Sequence, residues 1–115
     1  MTVFFCYNRD MKKLCKYSKI EVAWLAGLLE GEGCFYIDKK SKNRVMIEIG
    51  MTDLDIIQRV AKLFNRKIVS FKPKNKNSQP LYRVAIQGKK AFPVMRLILP
   101  LMGERRTKKI KTLLI

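Results

Sequence analysis

The spacing of apolar residues along the chain alternates between a helical period and a period of two. Ser18-Lys19-Ile20-Glu21 has the form of a capping box, in which the Ser18 hydroxyl accepts from the third helical N–H and Glu21 reaches back to the cap. Trp24, Leu25, Leu28 and Leu29 recur at three- and four-residue spacing, which predicts a helix over roughly Lys19 to Glu30 that ends before Gly31 and Gly33. The period then drops to two. Phe35 and Ile37 interleave with Cys34, Tyr36 and Asp38, and Val45, Ile47 and Ile49 interleave with Arg44, Met46 and Glu48. With the polar Lys39-Lys40-Ser41-Lys42-Asn43 between them, these segments predict a hairpin with one buried and one exposed face. Thr52 is expected to cap a second helix, with Asp53 and Asp55 in its first turn, Ile56, Ile57, Val60, Leu63 and Phe64 along it, and Asn65 as its stop. The pattern repeats: Val69 and Phe71 in a third strand, a loop from Pro73 to Pro80, and Tyr82, Val84 and Ile86 in a fourth. Gly88 introduces another helix, whose Pro93 must lie in or near the first turn. Pro100 and Gly103 break it before a last basic helix from about Glu104.

The order α, ββ, α, ββ, α, α predicts an α+β domain over 19–115, with a four-stranded antiparallel sheet backed by helices on one face and an N-terminal lead-in over 1–18. By alternation the open face carries Tyr36, Asp38 and Lys40, then Arg44, Met46 and Glu48, then Ser70, Lys72 and Lys74, and finally Arg83 and Gln87. A two-stranded ribbon fits the DNA major groove, where base edges show distinguishable donor and acceptor patterns. Ordinary solvent-facing strands would alternate in the same way. Lys39, Lys40, Lys42, Lys74 and Lys76 fall in loops, which suits contacts to phosphates more than to bases.

Composition sharpens this reading. The 115 residues suffice for one domain, and 25 Lys plus Arg against 9 Asp plus Glu give a formal charge of +16. Such an excess points to a polyanionic partner, since each cation that meets a phosphate releases a condensed counterion. A solvated basic surface or ribosomal association would also fit the charge. No run of about 18 apolar residues is present, which argues against a membrane-spanning helix, and the apolar Met1–Cys6 meets Arg9 and Asp10 too soon for a signal peptide. Cys6, Cys15 and Cys34 have no metal-ligand spacing and are expected to be reduced. The absence of histidine excludes Ser-His-Asp and His-based nuclease chemistry, leaving carboxylate, Lys, Arg or metal.

Leu25-Ala26-Gly27-Leu28-Leu29-Glu30-Gly31-Glu32-Gly33, continued by Cys34-Phe35, resembles the motif of the LAGLIDADG homing endonucleases. The order of elements from Lys19 to Ile115 is similar as well. Ala23, Gly27 and Gly31 lie at i, i+4 and i+8, a side-chain-poor stripe that another backbone could approach closely. Packing against the chain's own helices would use such a stripe equally well. With only one motif present, the resemblance implies a homodimer with Ala23, Gly27 and Gly31 at its interface and a pseudo-palindromic target. Glu32 and its mate would then converge, and two carboxylates so placed call for a hard cation such as Mg²⁺ or Mn²⁺.

The resemblance further implies that Glu32 binds the metal, that the Gly31 carbonyl is a second ligand, and that Glu30 is a structural acid. The implied activity is metal-assisted hydrolysis of double-stranded DNA, one Glu32 per strand, giving a staggered break with short 3′ overhangs. Arg105, ahead of Arg106 and Lys108, is the candidate basic residue beside the scissile phosphate. Met51 stands where the family often has a polar residue, so water ordering shifts to Thr52 or Asp53. Two other readings share the fold and charge: an RNA-binding, maturase-type splicing factor and an inactive DNA-binding regulator. No small-molecule substrate is implied. Phage-infected cytoplasm or an organelle would suit the Lys- and Asn-rich composition.

Overall fold

A computed structural model describes residues 17–75 and 77–114. Helix α1 (Lys19–Glu32) opens with the expected capping box: the Glu21 N–H donates to Ser18 Oγ at 3.1 Å, and the Ser18 N–H to Glu21 Oε1 at 2.8 Å. The Ser18 N–H bond holds the Glu21 carboxyl below its ordinary range. The helix runs two residues past the predicted end. Gly33, extended rather than left-handed, closes it by donating its N–H to the Leu29 carbonyl. A Cβ on Gly33 would lie 2.6 Å from that carbonyl oxygen, which is why the chain leaves the helix at a glycine.

Strands β1 (Gly33–Asp38) and β2 (Arg44–Met51) form the first hairpin around a short 3₁₀ turn, Lys39–Ser41, with Lys42 and Asn43 both left-handed. Helix α2 (Leu54–Phe64) follows. Its cap residue is Asp53, not the Thr52 expected, and no side-chain bond caps it. Asn65 ends the helix in the left-handed conformation, as read from the sequence. Strands β3 (Val69–Phe71) and β4 (Leu81–Gln87) form the second hairpin. A 3₁₀ turn entered through Gly88, at φ +66°, leads to α3 (Ala91–Ile98), which carries Pro93 in its first turn. Pro100 and Gly103 separate α3 from α4 (Glu104–Leu113).

The sheet is antiparallel in the order β1-β2-β4-β3, so the second strand of each hairpin is central. The register Phe35↔Ile47↔Ile86 with Ile49↔Val84 places these apolar side chains on one face. They are buried together with Leu25 and Leu29 of α1, Ile57 and Val60 of α2, Met95 and Ile98 of α3 and Ile110 of α4. The core is therefore a helical layer over one sheet face.

The third strand departs from the sequence reading. Ser70 pairs with Tyr82, a residue of the helix-covered side, while Val69 and Phe71 share the open face with their partners Arg83 and Leu81. The phase is set by Ile68, which packs on the core, so the residue two further on also faces the helices. Lys72 and Lys74 are exposed in the loop after β3 and do not belong to the sheet face.

Candidate functional site at the end of the first helix

From Val22 to Leu29 helix α1 contains no polar residue, yet only Val22, Leu25, Ala26 and Leu29 are buried. Ile20, Ala23, Gly27 and Gly31 lie on the opposite, exposed face, with Ile20 77% exposed. A Cβ built on Gly27 or Gly31 would meet nothing within 4 Å. Packing within the described part of the chain thus gives no reason for these glycines, and each costs helix stability of roughly 1 kcal/mol relative to alanine. A helix apolar on both faces belongs between two layers, and the described residues supply one of them.

Two glutamates end this helix, at the negative pole of its dipole and with no base in the last turn. Their surroundings differ. Glu30 accepts a short hydrogen bond from the Gly103 N–H, and its carboxylate lies 3.6 Å from Arg106 Nε, which also donates to the Glu30 carbonyl at 3.3 Å. The Arg106 guanidinium sits 5.8 Å from the centre of the Phe35 ring. Glu30 therefore ties the end of α1 to the α3–α4 turn. Glu32 is exposed, and no hydrogen bond or ion pair among the described residues engages it.

Arg105 and Arg106 divide accordingly. Arg106 is the residue held against α1, whereas the exposed Arg105 lines a shallow basic surface with Glu104, Lys108, Lys109 and Thr112. The neighbours differ because successive helical residues point about 100° apart. Met51 is half-buried against the core, and Thr52 and Asp53 are exposed beside it.

The remaining predicted site residues differ in what they touch. Tyr36, Glu48 and Arg83 form one network across three strands of the open face: the Tyr36 hydroxyl donates to Glu48 Oε2 at 2.8 Å, and Arg83 Nε lies 2.6 Å from Glu48 Oε1. Phe71, which the alternation of the sequence phases inward, lies instead under the Arg83 guanidinium at 4.6 Å. Burial first, and then the Glu48 bond, push the Tyr36 phenol up to about 12. Met46 shares this face but is only 8% exposed, flanked by its pairing partners Tyr36 and Gln87, so little of it is available to a ligand. Asp38 is used locally, accepting from the Lys40 N–H at 3.1 Å in the hairpin turn. Lys40 and Arg44 are exposed and Gln87 is half-buried at the end of the sheet away from α1. Lys76, Cys6, Cys15 and the Met1–Cys6 segment lie outside the described residues, and Cys34 is a free, exposed thiol.

Among the described residues no three metal-ligating side chains cluster. One copy of the chain supplies Glu32 and, in the last turn where helices leave carbonyls without intrahelical partners, the Gly31 carbonyl. Hard oxygen donors, few in number, suit a cation that completes its shell with water and phosphate oxygens. These donors are of a kind that fits Mg²⁺ or Mn²⁺. No helix among the described residues is long and apolar enough to cross a membrane.

Residues 19–94 match the family model described as LAGLIDADG-like domain. No curated protein sequence matches the chain. Among solved structures, the fold is similar to homing endonuclease I-CvuI in complex with the I-CreI target in the presence of 2 mM Mg, described as revealing DNA not cleaved. The TM-score is 0.62 at 17% identity, covering 84% of this chain and 64% of that one. I-CvuI in complex with its own target and 2 mM Ca is similar to the same degree, at TM-score 0.62 and 16% identity, over 83% and 64%. The chain thus spans a little under two thirds of the length of these structures. At such identity the likeness concerns the fold.

Proposed function

The chain belongs to the LAGLIDADG-like domain family, and from that premise we propose that two copies pair through α1 and cut double-stranded DNA with a divalent metal. The observation that carries this reading is the open glycine-lined face of α1, ending in an acid that no other described residue pairs. A second α1 laid on Ala23, Gly27 and Gly31 would cover that face. By the twofold relation it would bring the two Glu32 carboxylates together. Their mutual repulsion at two negative helix poles favours a cation, held by Glu32 and the Gly31 carbonyl with DNA phosphate oxygens.

When bound, the cation would lower the pKa of attacking water and offset charge on the pentavalent phosphate and the departing 3′ oxygen. The chain's residues do the rest. Arg106, fixed by Glu30, holds the end of α1 in place and so positions Glu32. Arg105, free on the outer face of α4, is available to a phosphate. On the open sheet face, Glu48 pairs with Nε of Arg83 and the Phe71 ring lies against its guanidinium, which orients the arginine toward a base edge. That arrangement suits guanine O6 and N7. One Glu32 per subunit corresponds to one cut per strand, hence a staggered break.

Selection of binding sites from randomised duplex DNA, followed by cleavage of the selected duplex with and without Mg²⁺, tests this reading. A pseudo-palindromic site, cut only with metal, is expected. Glu32→Gln should lower the cleavage rate by at least about 10³-fold, equivalent to several kcal/mol of transition-state stabilisation, with DNA affinity retained. Undiminished cutting by Glu32→Gln would overturn the metal assignment. Tight binding of structured RNA without DNA cleavage would favour the splicing-factor reading.

A further inference from the structure

Several arginines among the described residues have company. Arg83 pairs with Glu48, Arg106 with Glu30, and Arg59 lies 4.0 Å from the centre of the Trp24 ring. At the end of the sheet remote from α1 the pattern is different. Arg44 begins β2, Arg66 follows the α2 stop, and Lys89 and Lys90 sit in the turn after β4; with Gln87 and Gly88 they line one concavity of about 470 Å³. These four cations come from three separate segments, and no ion pair among the described residues involves any of them. Gathering like charges around one recess is unfavourable unless an anion enters.

The placement of the recess limits which anion. Arg44 pairs with Asp38 and Gln87 with Met46, whereas Gly33, at the end of α1, pairs with Ile49. Five residues of β2 therefore separate the recess from the motif end, roughly 17 Å at about 3.4 Å per residue. Arg44 and Gln87 both belong to the open sheet face, so the recess continues the surface assigned above to DNA.

We propose that Arg44, Arg66, Lys89 and Lys90 form a clamp for the phosphodiester backbone of duplex DNA, at the outer end of each half-site. The proposal rests on the DNA-binding reading above. The clamp holds register and adds sequence-independent affinity, without touching the cutting centre. The sequence hides it because its members are separated by as many as 46 positions, Arg44 to Lys90.

The test is the salt dependence of binding to a fluorescent duplex of random sequence, using the full chain. The triple variant Arg66→Gln, Lys89→Gln, Lys90→Gln should reduce the slope of log K against log salt by about 0.9 for each phosphate that is no longer neutralised. A variant with three exposed lysines neutralised elsewhere, Lys19→Gln, Lys62→Gln, Lys111→Gln, should keep the wild-type slope. An unchanged slope in the first variant, or an equal reduction in both, would overturn the clamp while leaving the DNA-binding reading intact. Failure of the wild-type chain to bind duplex DNA would overturn both. Repeating the measurement with inorganic phosphate replacing chloride at equal ionic strength should preserve the difference between variants. If that difference vanished, the recess would be a free-phosphate site and the clamp would be refuted.

Discussion

The two ends of the sheet handle charge in opposite ways. Where α1 enters the sheet, Glu30 is locked to Gly103 and Arg106, and one acid, Glu32, has no partner among the described residues. At the far end, four cations face a recess where no ion pair among the described residues neutralises them. Charges answered by other described residues hold the fold together; those that no described residue answers are the ones the proposals assign to metal and DNA. The same distinction separates the glycines. Gly33 is required by its own helix, whose backbone a Cβ would strike, while Gly27 and Gly31 face open space.

The sharpest way to break this comparison is at the glycines. Gly27→Gln puts a good helix former on an exposed face where it meets nothing, so the folded monomer should gain up to roughly 1 kcal/mol. Overpacking a close helix contact costs about 1–3 kcal/mol, and the proposed dimer would carry two copies. Dimer affinity should therefore fall by about 100-fold, read by sedimentation. Unchanged dimerisation would remove α1 from the interface. A smaller effect separates the two acids. Glu30→Gln should weaken a partly exposed ion pair and the bond to Gly103, lowering unfolding free energy by roughly 1 kcal/mol, whereas Glu32→Gln should leave it unchanged. Equal losses in chemical denaturation would erase the distinction.

The smallest effect lies in the middle of the open face. Tyr36 titrates near 12 instead of 10.0 because burial and the Glu48 bond favour the neutral phenol. With the folded pKa raised, its contribution to stability is complete below the unfolded value and fades as pH rises through about 12. Glu48→Gln should move that titration down, as followed by phenolate absorbance with Tyr36→Phe as the reference. A Tyr36 titration indifferent to Glu48→Gln would dissolve the network.

Much of the fold is legible in the sequence because its signals are local. The capping box at Ser18, the stop at Asn65, Pro93 in a first turn and the break at Pro100–Gly103 each depend on a few neighbouring residues. Features that depend on distant partners are not. The order β1-β2-β4-β3 is a matter of which hairpins meet. The phase of β3 misleads because Val69 and Phe71 are apolar, although this short edge strand turns them outward beside Arg83. Which of Arg105 and Arg106 meets Glu30 turns on one helical step, across 76 residues of sequence. Within the candidate site, the motif itself is visible in the sequence; that Glu30 is satisfied and Glu32 is not requires the packing of α4.

The central claim concerns Glu32 and a cation, and it is tested most directly by counting metal on the assembled complex. Mn²⁺ bound to the protein on its selected duplex can be measured by electron paramagnetic resonance, for the wild type and for Glu32→Gln at equal DNA occupancy. Loss of the bound Mn²⁺ signal in the variant is the predicted result. Equal Mn²⁺ binding by the two proteins would contradict the account.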